Sequence, residues 1–101
     1  MNDQALILHL KVSQEWSDDS ERDVFLSLED ELIETLSKID VGEFDGIEDG
    51  EGYFRMFIYG ANIDEVESVL LNVLKRFPIP TGSHYVKRYG PPGSREERIA
   101  L

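Results

Sequence analysis

The side chains best suited to chemistry in this chain are two histidines and many carboxylates. His9 and His84 are the only histidines, and the chain has no cysteine. A zinc site needs three or four nitrogen, sulfur or carboxylate ligands, and two histidines without a clear third ligand do not supply them. Thiolate sites and disulfides are excluded by composition. We interpret both histidines as strand residues and predict no metal site and no cofactor.

The carboxylates raise two further possibilities, a calcium loop and an acid–base pair. Asp45, Glu48, Asp49 and Glu51 surround a glycine turn. Their spacing does not match the EF-hand loop, in which ligands alternate and a glutamate closes the site at the twelfth position. An acid–base pair needs a pocket that separates two pKa values, and no pair is singled out by apolar surroundings. Neither a phosphate loop nor a nucleophile elbow is present, so we predict no catalytic residue and a protein that is not an enzyme.

The net charge of the chain argues against two classes of partner, nucleic acids and membranes. The formal net charge is −11, and residues 15–51 carry fifteen acidic and two basic side chains, whereas residues 75–101 carry six basic and two acidic ones. A field of this sign repels phosphate backbones and anionic membranes, which predicts no nucleic-acid partner and no membrane partner. The first four residues carry a negative charge where a signal peptide needs positive ones, so we expect a cytoplasmic protein.

Hydrophobic periodicity predicts the elements that position these side chains. Leu6, Leu8 and Leu10 alternate as in a strand, and Phe25 and Leu28 begin a stripe with a helical period. Strands are predicted at 5–12, 41–48, 53–60 and 83–89, with one helix at 20–38 and a second that begins after the N-cap Asn62. The dipeptide Asp49-Gly50 predicts a hairpin turn. Residues 95–101 are left open as an edge strand or a tail.

The order of elements, β-α-β-β-α-β, is typical of an α+β, ferredoxin-like two-layer sandwich. Right-handed crossovers give an antiparallel sheet of order 4-1-3-2 in one domain, 1–101, with a possible extra C-terminal edge strand. Both helices then cover one face of the sheet. His9 and His84 fall on neighbouring strands, where they could approach each other.

The uncovered face of this sheet is the main candidate site. It is rich in large rings, and exposed apolar patches of this size usually mark an interface. The predicted interaction residues are Tyr53, Arg55, Phe57 and Tyr59, with Ile7, His9 and Lys11 beside them and Arg88 and Tyr89 from the fourth strand. Alternatively, the C-terminal segment folds back over this face. A separate acidic face on the first helix consists of Glu29, Asp30, Glu31 and Glu34.

One enzyme family and one RNA-binding family share this order of elements, but this sequence lacks the motifs of both. Acylphosphatases cradle phosphate in the loop after the first strand, and here residues 13–19 of that loop are acidic. RNA-recognition motifs stack bases on aromatic residues of the central strands, but the signature of their third strand is absent. Residues 42–46 (GEFDG), 57–60 (FIYG) and 86–93 (VKRYGPPG) resemble a pattern found in small uncharacterised bacterial proteins. The resemblance covers the last three predicted strands and implies only a bacterial, cytoplasmic protein.

Three hypotheses of function follow from these patterns. The preferred one is a non-enzymatic protein-interaction module that self-associates as a homodimer, or binds another protein, through the aromatic face of the sheet. The second is an immunity-type inhibitor that neutralises a basic toxin with its acidic first helix. The third is a small-ligand-binding regulatory domain, in which an anion is expected near Lys87, Arg88 and Tyr89 because residues 75–101 are net positive.

Overall fold

Five strands and two helices form in residues 3–101, the part of the chain that the computed structural model describes. Residues 1 and 2 of the predicted domain lie outside the described residues. In chain order the elements are β1 (Gln4–Lys11), α1 (Asp19–Ile39), β2 (Glu43–Gly50), β3 (Tyr53–Gly60), α2 (Ile63–Leu74), β4 (His84–Arg88) and β5 (Glu96–Ala100).

The strands form one antiparallel sheet of order β2-β3-β1-β4-β5. Without β5 this is the predicted order, so the α+β class and the arrangement of the first four strands are confirmed. The segment left open by the sequence adds an edge strand beside β4, where Ile99 pairs with Tyr85. It therefore extends the sheet and does not fold back over its uncovered face.

The hydrophobic core lies between the two helices and one face of the sheet. Alternate residues of β1 and β3, including Leu8 and Met56, are fully buried against the stripes of α1 and α2, which include Leu32 and Val66. Burying one such side chain contributes about 1.5–3 kcal/mol, so this layer supplies most of the driving force for folding. The predicted core face of the sheet is confirmed.

A capping box fixes the start of α1. The Asp18 carboxylate accepts a hydrogen bond of 2.8 Å from the Glu21 backbone N–H, and the Glu21 carboxylate accepts one of 3.0 Å from the Asp18 N–H. These bonds satisfy backbone donors that the first turn leaves unpaired, and both carboxylates lie at the positive end of the helix dipole. Asp18 is therefore the N-cap of α1.

The β2–β3 turn differs from the prediction. Gly50 pairs with Tyr53, so Asp49 and Gly50 belong to the strand and the turn lies at Glu51 and Gly52, with φ of 56° and 86°. A two-residue hairpin turn of type I′ needs positive φ at both central positions, which Glu51 and Gly52 supply. The strand is displaced two residues toward the C-terminus from the predicted 41–48.

The backbone also packs closely just before β2, which begins at Glu43. A Cβ at Gly42 would lie 2.6 Å from the carbonyl oxygen of Tyr59, so only glycine fits there without a shift of backbone. Farther along, β2 contains a bulge between Phe44 and Gly46.

Neither helix within residues 3–101 combines the length and the apolar character that crossing a membrane requires.

Candidate functional site

The face of the sheet opposite the helices, called the open face below, is not covered by any helix or strand of residues 3–101. Direct cross-strand pairing arranges it in rows perpendicular to the strands. The middle row is Gly46, Phe57, Ile7, Val86 and Arg98; the histidine row is Glu48, Arg55, His9, His84 and Ala100; the outer row is Glu43, Tyr59, Ala5, Arg88 and Glu96.

The middle row carries the apolar part of the open face. Phe57, Ile7 and Val86 are half-buried, because each one partly covers its neighbours while its outer surface stays in contact with solvent. The sequence predicted Phe57 and Ile7 for this surface, and the structure brings them together. Val86 was missed as a site residue, although its place in the alternation of β4 could have identified it.

A stacked pair of imidazoles occupies the histidine row. The rings of His9 and His84 are nearly parallel, 11° apart, with centroids separated by 4.4 Å. Tyr53 closes the stack from the side, edge-on to both rings at 5.8 Å and 5.4 Å. The approach of the two histidines that the strand order suggested is confirmed.

The surroundings of this pair favour neutral rings. Burial, together with His84, Arg55 and Arg98, lowers the pKa of His9 to about 4. Burial and Arg98 also lower the pKa of His84, although a hydrogen bond with the Gly82 backbone opposes the shift. His84 is 7% exposed, and its Nδ1 has no hydrogen-bond partner among the described residues. Parallel rings beside two guanidinium groups are poorly arranged to share a metal cation.

Cations surround the rings of the open face. Arg55 lies against Tyr53, with its guanidinium carbon 5.8 Å from the ring centroid, and pairs with Glu48 at 3.3 Å and Glu51 at 3.8 Å. Lys11 extends over the same tyrosine, its Nζ 5.0 Å from the centroid. Such contacts hold large side chains in place at a surface, which reduces the entropy lost when a partner binds.

In the acidic turn that was considered as a calcium loop, Asp49 already makes contacts within the chain. Asp49 accepts hydrogen bonds from the Ser17 backbone and hydroxyl, and pairs with Arg22 at 2.6 Å. The pKa of Asp49 is lowered, because these bonds outweigh the opposing effect of its burial. Among the described residues, no three histidine, aspartate or glutamate side chains are placed to hold a metal ion. The structural role of Asp49 is to tie the start of α1 to β2.

A second charged cluster lies on the opposite side of the sheet, beside α2. Lys87 is 8% exposed in its side chain, and its Nζ lies 2.9 Å from Asp64 and 3.0 Å from Glu67. Burial by itself lowers the pKa of Lys87, but Tyr89, Asp64 and Glu67 reverse this and raise the pKa above its usual value. Tyr85 donates a hydrogen bond of 2.6 Å to Glu67.

This cluster corrects the predicted placement of Tyr89. The sequence grouped it with the open face, but its hydroxyl donates to Asp64 on the helix side, and Arg95 lies 4.2 Å from its ring centroid. Arg88 does belong to the open face, where it lies across from Ala5 and donates a hydrogen bond to the Gly90 carbonyl. Because Lys87 is held by two carboxylates, Lys87, Arg88 and Tyr89 do not form a single anion site.

The acidic face of α1 is partly neutralised within the chain. Glu31 pairs with Arg76 of α2 at 2.5 Å, and Glu34 pairs with Lys38 at 2.8 Å. Burial and the neighbouring Asp30 raise the pKa of Glu29. The four predicted residues therefore lie on one helix, but two of them already have cationic partners.

Trp16 is the exposed aromatic residue that the sequence interpretation left without a role. It is 62% exposed, and a Cβ at Gly50 would lie 3.1 Å from its indole Nε1. Gly50 pairs with Tyr53, so the indole lies near the end of the sheet at which the open face carries Tyr53. As the only tryptophan, Trp16 is a fluorescent reporter for this region.

Two grooves of the surface are lined mostly by residues outside the open face. One of about 560 Å³ is lined by the end of α1 and the start of β2, including Ile33, Asp40 and Phe44. Another runs between the helices past Ile39 and Leu71. Neither groove contains a histidine or a cluster of opposite charges among its lining residues, so the open face stays the better candidate.

Comparison of the chain with protein-family models, with curated proteins and with solved structures gave no match in any of the three. The resemblance to small bacterial proteins stays a prediction, and the function must be argued from the residues of this chain.

Proposed function

We propose that this chain is a non-enzymatic protein-interaction module of the ferredoxin-like kind, and that it binds a second copy of itself through the open face. One observation carries the proposal. The sheet has helices on one face only, and the face left open presents a continuous row of half-buried apolar side chains, Phe57, Ile7 and Val86. Contiguous apolar surface of this kind is typical of interfaces.

The size of the face fits a modest dimer. Five strands spaced about 4.8 Å apart, each contributing about five residues at about 3.3 Å, extend over roughly 24 by 17 Å. Two such faces would bury on the order of 1,000 Å² of accessible surface, near the lower limit of specific interfaces. We therefore expect a dimer that forms reversibly, with a dissociation constant on the order of micromolar.

Other apolar side chains are individually more exposed, but they lie on the helix layer. Ile39 is 53% exposed and Leu71 is 39% exposed, and both line the groove that runs between the helices. They provide matched controls, because a substitution there removes apolar surface without touching the open face.

Replacing Phe57 with glutamine tests the proposal. Phe57 lies in the middle row beside Ile7, so its loss should weaken self-association by roughly 30-fold, as expected for a central aromatic residue. Sedimentation velocity over a series from low micromolar to near-millimolar concentration measures the change, with far-UV circular dichroism to verify folding. The matched variant Ile39→Gln should associate as the native chain does.

Two outcomes would contradict self-association through this face. One is a native chain that stays monomeric up to near-millimolar concentration. The other is a dimer that survives Phe57→Gln and dissociates in Ile39→Gln, which would move the interface to the helix layer.

A further inference from the structure

Charge is distributed unevenly across the open face. At one edge, β2 carries three exposed carboxylates, Glu43, Asp45 and Glu48, of which Glu48 also pairs with Arg55 of β3 at 3.3 Å. At the other edge, β5 carries Arg98, for which no carboxylate of residues 3–101 lies within ion-pair distance, and the neighbouring β4 carries Arg88. The face is thus acidic on the β2 side and has its free arginine on the β5 side.

We propose that two copies pack face to face about a two-fold axis parallel to β1, with Arg98 of each copy bound to the β2 carboxylates of the other. This inference rests on the proposed self-association and specifies its geometry. A two-fold interface is self-complementary, so a residue of one copy must find its partner on the same surface of the other.

An axis along β1 reverses the order of strands between the copies. The β5 edge of each copy then lies over the β2 edge of the other, and β4 lies over β3. In the middle row, Ile7 meets Ile7 at the axis, Phe57 meets Val86, and Arg98 meets Gly46 and the bulge that includes Asp45. Apolar groups therefore face apolar groups, and the arginine faces the acidic edge.

The twist of stacked sheets does not remove the charge contact. Aligned sheets cross at about 30°, which displaces a residue about 10 Å from the axis by about 5 Å along the strands. Glu43 and Glu48 lie on either side of Gly46, so a displacement in either direction leaves Arg98 beside a carboxylate. The same axis also brings Glu96 toward Glu43 of the second copy, which is one like-charge contact at the corner of the interface.

The other face-to-face arrangement places like charges together. With the axis perpendicular to the strands, each strand lies over its own copy, so β2 faces β2 and Arg98 faces Arg98. The exposed carboxylates of β2, one of them Glu48 with its partner Arg55, would then oppose the same carboxylates of the second copy, and like charges across an interface are unfavourable. Electrostatics thus selects the axis parallel to β1.

A charge-swap experiment tests this geometry. Arg98→Glu places an acid over the acidic edge, and the double variant Glu43→Lys/Asp45→Lys places lysines under Arg98. Each variant alone should dimerise at least about tenfold more weakly than the native chain. An equimolar mixture should form a heterodimer, because both of its contacts then pair opposite charges. Native mass spectrometry identifies the heterodimer by mass, and sedimentation gives its affinity.

Matched controls distinguish the effect of losing this contact from the effect of changing the net charge. Lys75→Glu makes the same charge change as Arg98→Glu on the exposed end of α2, and Asp23→Lys/Asp30→Lys matches the double variant on exposed positions of α1. Both controls should self-associate like the native chain, after allowance for ionic strength. Arg98→Gln, which removes the charge without reversing it, should fall between the native chain and Arg98→Glu.

The outcomes distinguish the two levels of the proposal. A monomeric native chain would overturn self-association and this geometry together. A native dimer that is lost in Phe57→Gln but is unaffected by both charge variants would keep the open-face dimer and overturn the axis parallel to β1. Weakening in each variant without recovery in the mixture would also overturn it.

Discussion

Replacing Lys87 with methionine is expected to lower the free energy of unfolding by about 3 kcal/mol. Methionine keeps most of the packing of the side chain but removes the ammonium group that pairs with Asp64 and Glu67. Glu67 is 22% exposed and also accepts the Tyr85 hydroxyl, so it loses its counterion in a poorly solvated place. Asp64 is 62% exposed, and water can replace its lost partner, which keeps the effect below that of a fully buried pair.

Urea denaturation of Lys87→Met beside Lys75→Met measures this effect. Lys75 is exposed at the end of α2, so its replacement should change the free energy of unfolding by less than about 0.5 kcal/mol. Adding Glu67→Gln should recover part of the loss, because the carboxylate that lacked a counterion is then neutral. Equal stability of the two methionine variants would show that the cluster contributes nothing beyond packing.

The Lys87 contribution also depends on pH. The pKa of Lys87 is raised in the folded state, so the stabilisation is fully present below the unfolded-state value of about 10.4 and is lost as the pH rises through the folded value. The native chain should therefore lose more stability than Lys87→Met when the solution is made strongly alkaline.

Acidification is expected to destabilise the native chain through His9. Its pKa is about 4 when folded and about 6.5 when unfolded, so the unfolded chain binds a proton first. The stabilisation is present above the unfolded value and is lost as the pH falls from about 6.5 to about 4. Allowing for partial exposure of the ring, we expect a loss on the order of 2 kcal/mol.

Comparing the native chain with His9→Gln isolates the histidine. Asp49 and Asp64, whose pKa values are lowered, also lose stabilisation in acid, but they do so in both chains. The free energy of unfolding, measured at pH values across this range and at a concentration that keeps the chain monomeric, should fall more steeply in the native chain. Parallel curves would mean that the His9 ring is as easily protonated when folded as when unfolded.

Local patterns in the sequence were sufficient to predict the elements that make the core. The alternation of Leu6, Leu8 and Leu10 fixed the inward face of β1, and the same alternation in β3 placed Phe57 on the open face with Ile7. The contact between His9 and His84 also followed, because the order of elements makes β1 and β4 neighbours.

What the sequence did not predict depends on packing between distant segments. Lys87 looked like a surface cation among Lys87, Arg88 and Tyr89, because its two carboxylate partners lie on another element, one turn apart on α2. The turn at Glu51 and Gly52 was misplaced because Asp49-Gly50 has the stronger local signal. In the folded chain Asp49 binds the Ser17 hydroxyl and the Arg22 guanidinium from within β2. These long-range contacts outweigh the preference of Asp49-Gly50 for a turn.

The bulge in β2 helps to explain how a sheet with two free edges avoids adding strands from other molecules without limit. An edge strand offers unpaired backbone groups that can recruit the edge of another molecule, and repetition of that pairing produces fibrils. In β2 the irregular register between Phe44 and Gly46 interrupts the regular ladder that an incoming strand would have to match, and the exposed carboxylates of Glu43 and Glu48 repel another copy of the same edge. This edge is thereby shielded from strand addition at high protein concentration, so a face-to-face pair can form without seeding a polymer.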